Sequence, residues 1–306
     1  MEWLDAFLAS GMRFTTPILL AALGCLLTTW TADLNVGLEG AMIFGAFFGV
    51  VVGLTVGSAV VAVLVVLVMG ALAGVLFGYL ITAFRVNVFV AGIVLNVLGA
   101  GGTVYLLRSM FGVKGTLSSD RIPALPRVNI PGVESIPALG GLVSGHSLLT
   151  YVAWLLVLLV AVAARRTVVV RHLKAAGEHP AALATAGGNV PRMRILAQAW
   201  CFALCGLAGM QLSMGQLTLF TEGMTSGLGF VALAAVIFSR GRVGLLAVMS
   251  LVFGLSTAAG VQINEDLMPP QFAQMIPYVV ALAGLILLAR RSKDGALRIK
   301  TPTLES

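Results

Sequence analysis

Charge is what this sequence has least of. Only 10% of its 306 residues are Asp, Glu, Lys or Arg, while 59% are hydrophobic; soluble domains carry about 25% and 45–50%. A soluble fold of this length needs a polar surface that these residues cannot make, so the solvent expected around its outer face is lipid. Cysteine is also scarce. Cys25, Cys201 and Cys205 all lie in apolar runs, and the i, i+4 pair of Cys201 and Cys205 has no histidine beside it. They read as small buried apolar residues, not as a disulfide or metal site. His146, His172 and His179 are not paired at metal-ligand spacing, so no metal is expected. A phosphate cradle is missing as well: the nearest string, Gly112-Val-Lys-Gly-Thr116, lacks the spacing and the preceding strand. No catalytic pair is evident, and any ATP chemistry must reside in another subunit. The first residues, Met1 to Phe7, lack the basic start and cleavage site of a signal peptide and are expected in the mature chain.

Long apolar runs are what the chain has instead. A helix needs about 20 mainly apolar residues to cross the hydrocarbon core. The runs that qualify are 12–31, 38–57, 58–83, 88–110, 148–164, 196–215, 227–239, 244–262 and 274–290. They predict an all-α polytopic helical bundle of about nine transmembrane segments in a single membrane domain, 1–306. The run at 227–239 is short for a crossing and must be tilted, extended or broken. Between the fourth and fifth runs a polar stretch, 113–146, holds Pro123, Pro126, Pro131 and Pro137, which suits an irregular loop.

Basic residues in short loops mark the cytoplasmic side. Arg165, Arg166, Arg171, Lys174, Arg192 and Arg194 cluster between the fifth and sixth runs. Alternation from that loop also puts Arg85, Arg240, Arg242 and the tail from Arg290 to Lys300 inside, so the C-terminus is expected in the cytoplasm. The loop 113–146 and the pair Glu265/Asp266 fall outside, and nine runs put the N-terminus outside unless the first dozen residues lie along the interface. The net charge of +7 is thereby explained by topology, with no aromatic-studded basic face to suggest nucleic acid.

Two glycine series, Gly45/Gly49/Gly53/Gly57 and Gly70/Gly74/Gly78, each line one helical face and predict close backbone packing. Polar groups in or beside the runs are few: Asp33, Asn35, Glu39, Asn96, Gln198, Gln211, Gln216 and Glu222. Several of these could line a solute path, since a polar residue in a span is costly and by default functional. For Asp33, Glu39 and Glu222 the competing reading is a carboxylate at a span end near water, capping a helix N-terminus. In the basic loop, Pro180 at a first helical turn, alanines, and Gly187-Gly188 as a stop predict a helix of about two turns. A helix that short must be held by packing, on its own spans or on a partner.

These residues also carry a resemblance. The strings are Asn35-Val-Gly-Leu-Glu-Gly40 with Ile43-Phe-Gly-Ala-Phe47; Ala91-Gly-Ile-Val-Leu-Asn96 with Tyr105-Leu-Leu-Arg108; and Ile136-Pro-Ala-Leu-Gly140. Gly177-Glu-His-Pro180, Val190-Pro-Arg-Met-Arg194, Gly229-Phe-Val-Ala-Leu-Ala-Ala-Val-Ile-Phe238 and Gln274-Met-Ile-Pro-Tyr278 follow. In order, they resemble the permease subunits of ATP-binding-cassette importers of the branched-chain amino acid/ribose class, most of all nucleoside and simple-sugar permeases. The resemblance implies a bacterial inner-membrane permease with no cofactor of its own, ATP-Mg being bound by a cytoplasmic ATPase. It also implies a second, related permease subunit (a heterodimer), an external solute-binding protein or lipoprotein, and surrounding lipid. Asn35, Glu39, Asn96, Gln211, Gln216 and Glu222 are the candidates for the substrate path. Loop 165–195 becomes the coupling loop, with Gly177, Glu178, Pro180, Ala182 and Gly187 at the ATPase contact. The class often writes this element Glu-Ala-Ala, three residues, then Gly; here Ala181-Ala-Leu183 precedes Gly187, so the acidic position is missing. The alternative is an ion-coupled secondary transporter, which normally needs a buried acid near the midplane; no centre of these runs holds one.

Overall fold

Apolar length and local caps together mark out the helices. In the computed structural model, which describes residues 2–129, 141, 143–262, 275–280 and 282–283, α1 spans Glu2–Trp30 and α2 Leu38–Val56. Helix α3 runs Ala59–Ala83 after an N-cap at Ser58, and α4 runs Val88–Phe111 after Asn87, whose side chain accepts from the N–H groups of Phe89 and Val90. Helix α5 is Leu148–Arg166, α6 Val168–Glu178 and α7 Pro180–Thr185. Helix α8 is Val190–Met210, continued by a π-helical segment, Gln211–Leu217. Helices α9 (Leu228–Ser239) and α10 (Val243–Gln262) follow.

Among the described residues seven helices are long and apolar enough to cross a membrane, α8 counted with its π extension, and α9 is a shorter apolar helix. The ninth expected run, 274–290, is helical at 276–280 and 282–283. The rest of that run lies outside the described residues, as do Glu265, Asp266, Pro131, Pro137, Ile136 to Gly140 and the tail from Arg290. The first dozen residues do not lie apart: they extend α1.

Helix α8 is the axis of the bundle. About 78% of its apolar window is buried, against 22% for α3 and α4 and 17% for α5, so α8 is inside and those three lie at the periphery. Their exposed Leu64, Leu72, Leu76, Val97, Leu158 and Val162 give the bundle an apolar exterior. Both glycine series turn toward α8. A Cβ on Gly45 would land on the Gly206 backbone, one on Gly49 would meet Met210 Cγ at 2.9 Å, and one on Gly53 Met214 Cε at 2.9 Å. From the other side Gly70 faces Phe202 and Ala203, Gly74 faces Gln198, and Gly78 faces Ile195. Rising register in the first series and falling register in the second make α2 parallel and α3 antiparallel to α8. Gly57 is the exception: at φ +70° with open space around it, it ends α2 in the left-handed region, its N–H bonded to Gly53 O.

The basic loops gather at one end. Trp30 Nε1–H donates to Gly241 O at 3.1 Å, Lys174 Nζ stands 5.0 Å from the Trp30 ring centroid, and the end of α3 lies beside the start of α8. At the opposite end the described part of the segment expected as an irregular loop contributes to two small antiparallel ribbons, β1 (Thr116–Ser118) with β4 (Leu219–Thr221), which follows the π segment, and β2 (Arg127–Val128) with β3 (His146–Ser147).

Candidate functional site

A membrane-embedded linker needs every backbone group met, because hydrocarbon offers no partner. The α1–α2 connection, 31–37, is such a linker. Its Asn35 side chain donates through Nδ2 to Gln198 Oε1 at 2.8 Å and accepts the Gly37 N–H at 2.7 Å. Asn96 spans the next break: its Oδ1 accepts the Gly40 N–H at 2.8 Å and its Nδ2 donates to Val36 O at 3.0 Å. Gln198 is eight residues past the start of α8 and Asn96 eight past the start of α4, which is about 12 Å of helix. The linker therefore leaves the end of α1 and turns back into the bundle, and α2 begins near mid-depth. Glycines make room for it: a Cβ on Gly92 would sit 2.8 Å from Gly37 N, and one on Gly99 2.7 Å from Gly40 Cα.

The same level holds the start of α9. Glu39, in the first turn of α2, accepts three bonds: from Thr225 Oγ1–H at 2.5 Å, from the Gly227 N–H at 2.8 Å and from the Gly229 N–H at 2.7 Å. All three partners donate, which suits a carboxylate. Two helix N-termini, those of α2 and α9, meet at this one side chain, and both are positive ends. Helix α9 has 12 residues, about 18 Å, and fills only the half of the bundle toward the basic end. Of the three ways to explain the short run at 227–239, the structure takes the broken one. The reading of Glu39 as a helix cap holds in kind but not in place: it is 9% exposed and mid-depth, not at a wet span end.

Gln216 and Gln211 serve the π segment. Pro17 lies inside α1 and has no N–H, so the Arg13 carbonyl four residues earlier lacks its helical partner. Gln216 Nε2–H supplies one at 2.8 Å. Gln211, 1% exposed, accepts from Ser147 Oγ–H at 2.8 Å. Glu222 stands apart at the ribbon end, taking the Gly115 N–H at 3.0 Å with Arg108 3.9 Å away. Asn35, Glu39 and Asn96 thus form one cluster; Gln211 and Gln216 sit further along α8, and Glu222 beyond them. Gln198 and Thr225 belong to the cluster although neither was among the path candidates. The sequence signal for Gln198 was its place in a span; Thr225 had none. One amide atom of Gln198, Nε2, is buried with no hydrogen bond.

The basic hairpin is built differently. Helix α6, not foreseen, buries Val170, Leu173 and Ala176, one face at helical spacing. Gly177 abuts the end of α1, where a Cβ would land on Trp30 O and come within 2.9 Å of Ala32 N. Glu178 ends α6 and is exposed. Pro180 opens α7 at its first turn, and Gly187 at φ +82° stops it. Within α7 only Leu183 is buried, held against Gly188; Ala181, Ala182, Ala184 and Gly187 are exposed. Beside the hairpin, Arg194 Nε lies 3.4 Å from Asp33 Oδ2. The Thr31 hydroxyl donates to the same Asp33 oxygen at 3.3 Å.

Residues 7–289 match the family described as branched-chain amino acid transport system, permease component. Three relatives are similar along nearly their whole length. The guanosine ABC transporter permease protein NupQ of Bacillus subtilis is 27% identical, covering 93% of this chain and 92% of its own. The nucleoside ABC transporter permease protein NupC of Lactococcus lactis is 29% identical, covering 97% and 98%. A proposed glucose ABC transporter permease protein, TsgC13 of Haloferax volcanii, is 28% identical, covering 100% and 98%. No solved structure matches the chain.

Proposed function

The chain belongs to the branched-chain amino acid transport system permease family, and on that premise we propose that it is the membrane permease of an ATP-driven importer of a nucleoside or simple sugar. Solute reaches it from an external binding protein, a related second permease completes the path, and ATP-Mg is bound and hydrolysed by a separate cytoplasmic subunit. Nucleoside is favoured over sugar because two of the three relatives carry nucleoside names.

One observation carries the coupling reading: the α6–α7 hairpin offers an exposed face of small side chains while its root is fixed to the end of α1. Gly177 touches the Trp30–Ala32 backbone, the Asp33–Arg194 pair follows, and the next residues are the mid-depth linker that Asn35, Asn96 and Glu39 hold. Force applied at Pro180–Gly187 by an ATPase has a short, packed route to the broken helices. A switch needs such a two-state element, biased by a ligand that binds its two states unequally. Asn35, Glu39, Asn96, Gln211, Gln216 and Glu222 are the side chains proposed for a polar path, with Gln198 beside Asn35.

A buried acid is the part an ion-coupled carrier requires, and Glu39 is one. Its oxygens are committed to three protein donors, and no group of three or more His, Cys, Asp or Glu able to hold a metal ion occurs among the described residues. Glu39 therefore does not favour the rival.

The test is Ala182→Trp. Ala182 is exposed, so membrane insertion and thermal stability stay as in the wild type, while co-purification of the ATPase and ATP-dependent uptake into vesicles fall at least about tenfold, the effect of about 1.4 kcal/mol at a docking face. Undiminished co-purification and uptake would remove α7 from the coupling role. Uptake by the chain without any ATPase would remove the importer reading itself.

A further inference from the structure

At the basic end, between the last turn of α5, α6 and the start of α10, lies an open recess of about 590 Å³, within the ~300–1,000 Å³ of small-ligand sites. Trp30 forms its floor. Arg165 from α5, Lys174 from α6 and Arg242 from the α9–α10 turn stand around it, and Ala161 and Val248 line its sides. Among the described residues no carboxylate lines the recess, and neither ion pair involves these three cations. Arg165 and Arg242 are exposed and Lys174 half-buried over the indole. The apolar side continues onto the exposed apolar surface of α5 and α10: Val248 is 54% and Val162 48% exposed. The first turn of α10 adds backbone N–H groups that no intrahelical carbonyl takes.

We infer that this recess holds the phosphate headgroup of an anionic phospholipid, with its acyl chains along Val162 and Val248. Charge complementarity selects an anion, and the continuous apolar flank selects one that carries hydrocarbon rather than a free phosphate. The position agrees, since the recess sits where α1, α5 and α10 leave the apolar layer. Basic pockets between spans at this level are where anionic headgroups bind. Arg165 and Lys174 therefore have a role beyond fixing orientation. The inference does not depend on what the protein transports.

The experiment is native mass spectrometry of the purified full chain in a neutral detergent, titrated with phosphatidylglycerol, phosphatidylcholine or inorganic phosphate. Phosphatidylglycerol is expected to be retained at least about tenfold more tightly than phosphatidylcholine, as two such cations acting alone would already ensure. The triple variant Arg165→Gln/Lys174→Gln/Arg242→Gln should lower that affinity by about 100-fold, each basic residue near an anionic headgroup being worth about fivefold. Gly244→Leu is the second variant: a Cβ at Gly244 meets nothing within 4 Å, so the side chain enters open space, leaves the fold intact and obstructs the recess, and phosphatidylglycerol retention should drop. Equal retention of both lipids, full retention by either variant, or displacement of phosphatidylglycerol by equimolar inorganic phosphate would each overturn the assignment.

Discussion

Glu39→Gln tests the mid-depth junction most directly, because it changes one atom's hydrogen-bonding sense and almost no volume. In the wild type Oε2 takes the Gly229 N–H at 2.7 Å while Oε1 takes Gly227 N–H and Thr225 Oγ1–H. A glutamine keeps one oxygen. If the oxygen stays toward Thr225 and Gly227, the new NH₂ faces the Gly229 N–H, donor against donor. If the amide turns over, it faces the Gly227 N–H instead. Either way one backbone donor is left unmet in a water-free place. A bond to a charged group is worth about 1.5–3 kcal/mol, and an orphaned buried donor costs about 1–3. A total of about 3–5 kcal/mol follows, with the helix-terminal charge effect inside that range. At about 2–4 °C per kcal/mol for large domains, the melting midpoint of the detergent-solubilised chain, followed by size-exclusion chromatography after heating, should fall by roughly 10 °C. Thr225→Val removes one donor to the carboxylate but orphans no backbone N–H, so it should cost less, about 1.5–3 kcal/mol. A Glu39→Gln chain that melts within about 2 °C of the wild type, or no lower than Thr225→Val, refutes the assignment of Glu39 as the holder of the α9 terminus.

Two further outcomes follow from named contacts. Gly74→Leu drives a side chain into the Gln198 backbone and should cost about 3 kcal/mol or more, whereas Gly57→Ala meets open space and should cost only the left-handed penalty of about 1–2 kcal/mol; the same melting assay ranks them. Gln216→Leu should cost about 1–3 kcal/mol because Arg13 O loses its donor, and Pro17→Ala, which restores the helical N–H, should erase most of that loss in the double variant.

The positions of the apolar helices, the shared end of the described basic loops and the close approach at glycines were legible because each is a local property: run length, charge placement, four-residue spacing. The depth of the α1–α2 linker was not. Asp33 and Asn35 break the hydropathy, which reads as a loop in water, and nothing nearby in sequence says that Asn96 will satisfy its backbone from 60 residues away and Gln198 the Asn35 side chain from 163. Hydropathy measures the cost of leaving water, not whether a distant amide has removed that cost. The same limit explains Glu39, whose partners lie 186 to 190 residues further on, and the assumption that no acid stands near the midplane. Gln216 was visible as a polar residue in a span, and Pro17 as a proline in a helix; only the fold puts the one beside the carbonyl the other frees. Pro180 and Gly187 were placed correctly because a first-turn proline and a left-handed stop act within their own few residues.

The brevity of α9 bears on how the chain is made. Twelve apolar residues fall short of the roughly 20 that a nascent segment needs to enter the bilayer on its own. Synthesis runs from the N-terminus, so Glu39 leaves the ribosome long before Gly227 and Gly229 do. The acceptor is therefore already in the membrane, beside α4 and α8, when its donors arrive, and α9 is admitted by a pre-built socket rather than by its own greasiness. Chains that stall before residue 225 lack all three donors and leave the Glu39 carboxylate unpaired within the bundle.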